Sequence, residues 1–129
     1  MVADTSALVA ILFEEPEAHT FARILRDAAR PKLSTASLAE TFIVVAGRTG
    51  RDNAAKVLAF LDGAAVDVVP VDRRQALLVN EAFLRFGKGR HKAGLNYGDC
   101  FAYALAKRLD LPLLFKGDDF RHTDIRPAL

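Results

Sequence analysis

Met1-Val2-Ala3-Asp4-Thr5-Ser6-Ala7-Leu8-Val9-Ala10-Ile11-Leu12 is the stretch on which the fold turns. A very short apolar run reaches an acid, two hydroxyl residues follow, and a helix-like apolar stretch begins. This is how a buried strand gives way to a helix. Thr5 or Ser6 is suited to cap that helix, and Ala7 to Phe13 supply its apolar turns. In open α/β sheets the edge where strands end is where ligands bind. Asp4 therefore stands at a meaningful place, and the question is whether later acids return to the same edge.

The same alternation runs through the rest of the chain. Glu14-Glu15-Pro16-Glu17 reads as a helix start, because Pro is tolerated in a first turn and acids suit the positive end of the helix dipole. Phe21, Leu25 and Ala29 carry its apolar face. Lys32-Leu33-Ser34 is a short strand, followed by a helix from Thr35 that Gly47-Arg48-Thr49-Gly50 closes. A fourth helix is expected over residues 51–61. Val66-Asp67-Val68-Val69, β-branched and bounded by Gly63 and Pro70, is a third strand. Asp72 caps a fifth helix, 73–85, and the glycine-containing segment 86–95 is a loop. Asn96-Tyr97-Gly98-Asp99 opens a sixth helix that stays apolar until Lys107-Arg108 and must be buried on most sides. Leu113-Leu114-Phe115 is a fourth strand, and Ile125 belongs to a short final one. Strands alternating with helices specify a three-layer α/β/α fold around a parallel sheet of four to five strands.

Bulk composition narrows the function. With 129 residues, one domain is expected, and 51% hydrophobic with 26% charged residues describes a folded globular chain. The one cysteine, Cys100, cannot form an internal disulfide, and with three scattered histidines it excludes a cysteine- or histidine-rich zinc site. No stretch reaches the roughly 18 apolar residues of a membrane span, and the run from Ala7 to Phe13 lacks the basic flank of a signal peptide. A cytoplasmic protein is the expectation. Net charge is only +2, but Lys88, Arg90, His91 and Lys92 cluster in one loop, while several acids sit in apolar surroundings. A basic rim around an acidic centre suits a polyanion held at a metal site; a merely solvated loop is the alternative.

Four acids fall where buried chain meets the ligand edge: Asp4 after strand one, Glu40 in the helix after strand two, Asp99 in the first turn of the sixth helix, and Asp118 or Asp119 after strand four. Each has a local structural alternative. Ser37-Leu38-Ala39-Glu40 fits a capping box, Asn96 with Asp99 fits a helix start, and Asp4 and Asp118 fit turns or caps. Invoking such alternatives four times at one edge is less economical than one shared role. Two carboxylates about 5 Å apart repel by roughly 3 kcal/mol at an effective dielectric near 20. Few bases lie near enough in sequence to neutralise four. A divalent cation would, and ligands that are all oxygen point to Mg²⁺ or Mn²⁺. The matching chemistry is metal-assisted phosphodiester hydrolysis, with Thr5 or Ser6 orienting a water or a ligand.

Residues 2–8, Ser37-Leu38-Ala39-Glu40, the run Leu95 to Ala106 and Leu113-Leu114-Phe115-Lys116-Gly117-Asp118-Asp119-Phe120 resemble, in order, the PIN domain, and within it the VapC-type toxins. The resemblance spans essentially the whole chain. It implies a Mg²⁺- or Mn²⁺-dependent ribonuclease that cuts structured or translational RNA. It also implies a homodimer restrained by a VapB-type antitoxin, for which the apolar surfaces of the first four helices are available. The family's acid positions fall on Asp4, Glu40, Asp99 and Asp119, which would serve as both catalytic and metal-binding groups. Asp118 occupies a place where relatives often have Asn and is assigned an outer, supporting role. Lys88, Arg90, His91 and Lys92 are the expected RNA contacts. The rival readings are a catalytically silent PIN-like RNA-binding module and a Mg²⁺-binding signalling receiver. The receiver lacks its phospho-accepting Asp here, since strand three ends Val69-Pro70.

Overall fold

The computed structural model describes residues 1–129. Strand β1 is Val2–Ala3, followed by α1 (Thr5–Leu12), α2 (Ala18–Asp27), β2 (Lys32–Ser34), α3 (Thr35–Thr49), α4 (Ala54–Gly63), β3 (Asp67–Val69), α5 (Arg73–Phe86), α6 (Tyr97–Leu109) and β4 (Leu113–Leu114). A 3₁₀ turn covers Asp119–His122. The sheet order is β3-β2-β1-β4, every pair is parallel, and β1 sits inside it. The chain moves from β1 to β2 and β3 on one side, then crosses to β4 on the other. The switch point of the sheet therefore lies between the ends of β1 and β4, directly beyond Asp4.

Alternation along two-residue strands builds the layers. Val2 and Leu113 are fully buried against Ala82, Phe86, Tyr103 and Leu105 of α5 and α6. Ala3 faces the opposite way, onto Leu8, Leu25, Leu33, Val57 and Leu61, and Leu114 onto Ala7, Ala10 and Phe21. Successive strand residues point to opposite faces, so each of these strands is apolar at every position, as a sheet covered on both sides requires. Helix α6 buries Cys100, Ala102, Tyr103, Ala104, Leu105 and Ala106. Truncating Leu105 to Ala would cost about 2–5 kcal/mol.

Several boundaries differ from expectation for identifiable reasons. Asp4, not Thr5 or Ser6, caps α1: its backbone is extended and its side chain accepts from the Ser6 amide. Helix α2 begins at Ala18, because Glu14 takes a positive φ of 52° and its acidic neighbours bond other partners instead of capping. Helix α4 starts three residues late, at Ala54, after Asp52 accepts the Ala54 N–H. No strand forms at Ile125. That segment makes one isolated bridge, Leu113 to Pro127, and a proline cannot donate to continue a ladder. Helix α3 stops at Gly50, whose φ of 71° places it in the left-handed region that glycine tolerates.

Candidate active site

Asp4 is 3% exposed at the carboxyl end of β1. Its Oδ2 accepts from the Ser6 amide (2.9 Å) and the Ser6 hydroxyl (2.6 Å). The Ser6 Oγ accepts in turn from the Lys116 backbone N–H (3.0 Å). This chain of bonds fixes Asp4 between the ends of the two strands that flank the switch point. Its other oxygen, Oδ1, is buried with no hydrogen-bond partner. Burial pushes the Asp4 carboxyl up to about 6, partly countered by Ser6 and reinforced by the charges of Asp99 and Glu40.

Asp4, Thr5, Ser6, Val9, Glu40, Val44, Arg48, Asn96 and Asp99 line one cleft of about 220 Å³. Glu40 reaches it from α3, with Val44 and Arg48 one and two turns further along the same helix face. Helix α3 is capped by Ser34, whose hydroxyl accepts from Ala36. Ser37 already lies inside the helix, so Glu40 is no capping-box residue and its carboxylate is free for the cleft. Thr5 is buried and donates to the Ser37 carbonyl (3.1 Å), fastening α1 to α3 beside Glu40.

Asp99 enters from the N-terminus of α6. The capping box expected there is present: Asn96 accepts from the Asp99 amide, and Asp99 Oδ2 accepts from the Asn96 amide (3.0 Å). Capping and cleft lining are thus compatible in this residue. Burial raises the Asp99 carboxyl, and the charges of Asp119 and Glu40 add to it. Gly98 makes the approach of α3 to α6 possible. A Cβ there would stand 2.8 Å from Glu40 Cδ and closer still to Oε2.

The last acidic pair splits. Asp118 is 85% exposed and pairs loosely with Arg121 (3.7 Å). Asp119 opens the 3₁₀ turn and is exposed, and its charge acts on Asp99. Phe120 anchors the turn by packing on Phe115, ring centroids 5.1 Å apart. Neither Asp118 nor Asp119 lines the cleft.

The basic loop is peripheral. Its base is closed by Lys88 and Leu95 in mutual backbone register with Phe86, just before Asn96. Lys88, Arg90 and Lys92 are exposed. Arg90 donates to the Leu84 carbonyl (3.2 Å), and His91 packs edge-on against Phe86 while its Nδ1 accepts from Ala93. None of the four lines the cleft. The cation that does is Arg48, which sequence reasoning passed over as part of a helix end. Its signal was the four-residue spacing Glu40, Val44, Arg48.

A divalent cation fits the donor set on three counts. The side-chain donors are oxygens, Asp4 Oδ1 is buried and orphaned, and no ion pair in the protein involves Asp4, Glu40, Asp99 or Asp119. As the side chains stand, no three acids, histidines or cysteines close into a ready-made cage.

A family model described as PIN domain matches residues 1–126. The chain is 50% identical over 125 residues to Ribonuclease VapC30 of Mycobacterium tuberculosis, covering 97% of this chain and 95% of that protein. It is 51% identical to Ribonuclease VapC of Mycolicibacterium smegmatis, with 97% of each covered. The crystal structure of M. tuberculosis VapC20, described as a sarcin-ricin loop cleaving toxin, shares the fold at TM-score 0.72 and 19% identity, covering 98% of both chains.

Proposed function

The chain belongs to the PIN-domain family, among the VapC ribonucleases, and from that premise we propose that residues 1–129 form one nuclease unit, a metal-dependent endoribonuclease acting as the toxin of a VapBC-type pair. The observation that carries this reading is the meeting of Asp4, Glu40 and Asp99 on one cleft without a salt-bridge partner. We assign these three as ligands of Mg²⁺ or Mn²⁺, with Asp119 as the fourth acid and Asp118 outside it. The charge of Asp119 on Asp99, and the pairing of Asp118 with Arg121, support that order.

Such an ion would lower the pKa of a bound water and stabilise charge on the phosphate in an in-line displacement. The protein's own part is positioning. Ser6 fixes one oxygen of Asp4 and leaves the other free for the site. The Thr5–Ser37 bond and the glycine contact hold Glu40 against the α6 terminus. The Asn96 backbone N–H donates to Asp99 Oδ2 and so orients the Asp99 carboxylate. Lys88, Arg90, His91 and Lys92 would attract the RNA backbone from outside the cleft, with an affinity that salt weakens.

No helix is long and apolar enough to cross a membrane, and we place the activity in the cytoplasm with its RNA. A homodimer and a VapB-type antitoxin complete the reading. Exposed Ile43 (α3), Leu58 (α4), Leu77 and Leu84 (α5) and Tyr97 (α6) offer apolar surface for them, more of it on α5 and α6 than expected.

The test is cleavage of RNA by the purified protein with Mg²⁺ or Mn²⁺. Activity should vanish in EDTA and in Asp4→Asn. Cleavage that survives both would overturn the assignment. RNA binding without cleavage under any metal would leave the silent RNA-binding module in its place.

A further inference from the structure

We propose that Arg48 is the phosphate-binding residue of this cleft, a cation parked on Phe13 and Glu15 that transfers to the backbone of an entering RNA. The inference rests on the ribonuclease reading and adds to it the group that makes an acidic cleft tolerable to a polyanion.

Three carboxylates face one small cleft, and a phosphate brought there meets their repulsion. Arg48 is the one cation lining it. It lies on the Glu40–Val44 face of α3, so it is delivered to the same wall as one of the acids. Its present contacts are easily exchanged. The guanidinium lies 4.9 Å from the centre of the Phe13 ring and makes a long bond to Glu15 (3.3 Å), and the side chain is 51% exposed. An exposed single-bond ion pair contributes little, whereas a phosphate can engage the planar guanidinium through two bonds at once.

Glu15 does not lose its charge balance when Arg48 leaves. Lys116 also bonds Glu15 and stands 3.2 Å from Glu17. The Lys116 backbone amide is the donor to Ser6 Oγ beside Asp4. The holding site of Arg48 is thus braced by the β4 exit, and release of the arginine leaves Glu15 paired. The loop cations have no such placement, since none of them lines the cleft.

The test is fluorescence anisotropy with a labelled single-stranded oligoribonucleotide and the whole chain, in EDTA so that nothing is cut, over a salt series. Arg48→Ala should weaken binding about tenfold and reduce the slope of log affinity against log salt by about one. Arg48→Lys should recover part of both. Glu15→Gln should tighten binding two- to threefold in the wild-type background and not in Arg48→Ala. A plain loss of negative charge would tighten both backgrounds equally. In cleavage assays with Mn²⁺, Arg48→Ala should raise KM and leave kcat within about threefold.

Wild-type affinity and slope in a folded Arg48→Ala protein would overturn the inference, as would absence of RNA binding by the wild type. Should Arg48→Ala not fold, Arg48→Gln carries the same test. Cleavage by the wild type with a KM indifferent to Arg48 would sink this inference and keep the nuclease. Arg48-dependent binding with no cleavage under any metal would do the reverse.

Discussion

Two groups of acids in this protein contrast: those bonded to bases and those that face the cleft. Away from the cleft an acid is either paired with a base, or, like Glu14, Asp27, Asp52, Asp62 and Glu81, exposed to solvent. Asp67 bonds Lys32 (2.7 Å), Asp72 bonds Arg108 (2.9 Å), and Asp124 bonds Lys107 (2.9 Å) and accepts from the Tyr103 hydroxyl (2.7 Å). The Lys32 ammonium holds the Asp67 carboxyl below the usual range. For Asp124, burial pulls upward but the bonds from Lys107 and Tyr103 win, and the carboxyl is again held down. In the cleft the sign reverses. Asp4 is buried and Asp99 half-buried; both have only amide and hydroxyl partners, and both are pushed up. With 18 Lys and Arg against 16 Asp and Glu, the chain is not short of cations. All but Arg48 are placed away from the cleft. Acids that share a cleft without bases, in a protein where bases outnumber acids, are what the proposed cation site requires.

The largest effects that would test this division are on activity. Asp4→Asn and Asp99→Asn should each lower RNA cleavage by about 100-fold or more while the far-UV spectrum is unchanged. Wild-type rates in either variant would erase the distinction between the two populations. Next is Gly98→Ala. The new Cβ displaces the Glu40 carboxylate, so cleavage should fall about 10- to 100-fold. Alanine is the better helix former by roughly 0.5–1 kcal/mol, so stability should hold or rise. Activity lost without stability lost is the signature of displaced Glu40, and loss of both would mean that α3 and α6 have separated. Asp119→Asn should reduce cleavage more than Asp118→Asn; the reverse order would move the fourth acid by one residue. Asp124→Asn, from the matched population, should leave cleavage within twofold and cost about 1 kcal/mol of stability, read from denaturant midpoints.

Much of this division was legible in the sequence, because strand ends and helix starts are written locally. The β-branched run before Pro70, the exact strand Lys32–Ser34 and the apolar α6 all follow from residue types. The acids could be placed at one edge because a parallel sheet sends every strand-to-helix junction to the same side. Two things depended on packing and were not local. The start of α2 moved to Ala18 because Glu15 and Glu17 answer to Lys116, about a hundred residues away. Arg48 looked like helix-end punctuation until the fold laid α3 alongside the acids. The basic loop reads in sequence as a rim around the acids, but its separation from the cleft lining could only come from the three-dimensional arrangement.

The central claim is that Asp4 is an acid kept unpaired for a divalent cation, and thermal unfolding of wild type and Asp4→Asn across pH, in EDTA and in Mn²⁺, tests it most directly. A carboxyl raised from 3.8 to about 6 by folding contributes stability that is fully present below pH 3.8 and lost as pH rises through 6. In EDTA, Asp4→Asn should therefore be the more stable protein at pH 8, by about 3 kcal/mol, and the advantage should disappear by pH 4. Millimolar Mn²⁺ should raise the wild-type Tm at pH 8 and leave Asp4→Asn unmoved. Wild-type and Asp4→Asn curves that run parallel at every pH, with neither responding to Mn²⁺, would contradict the account.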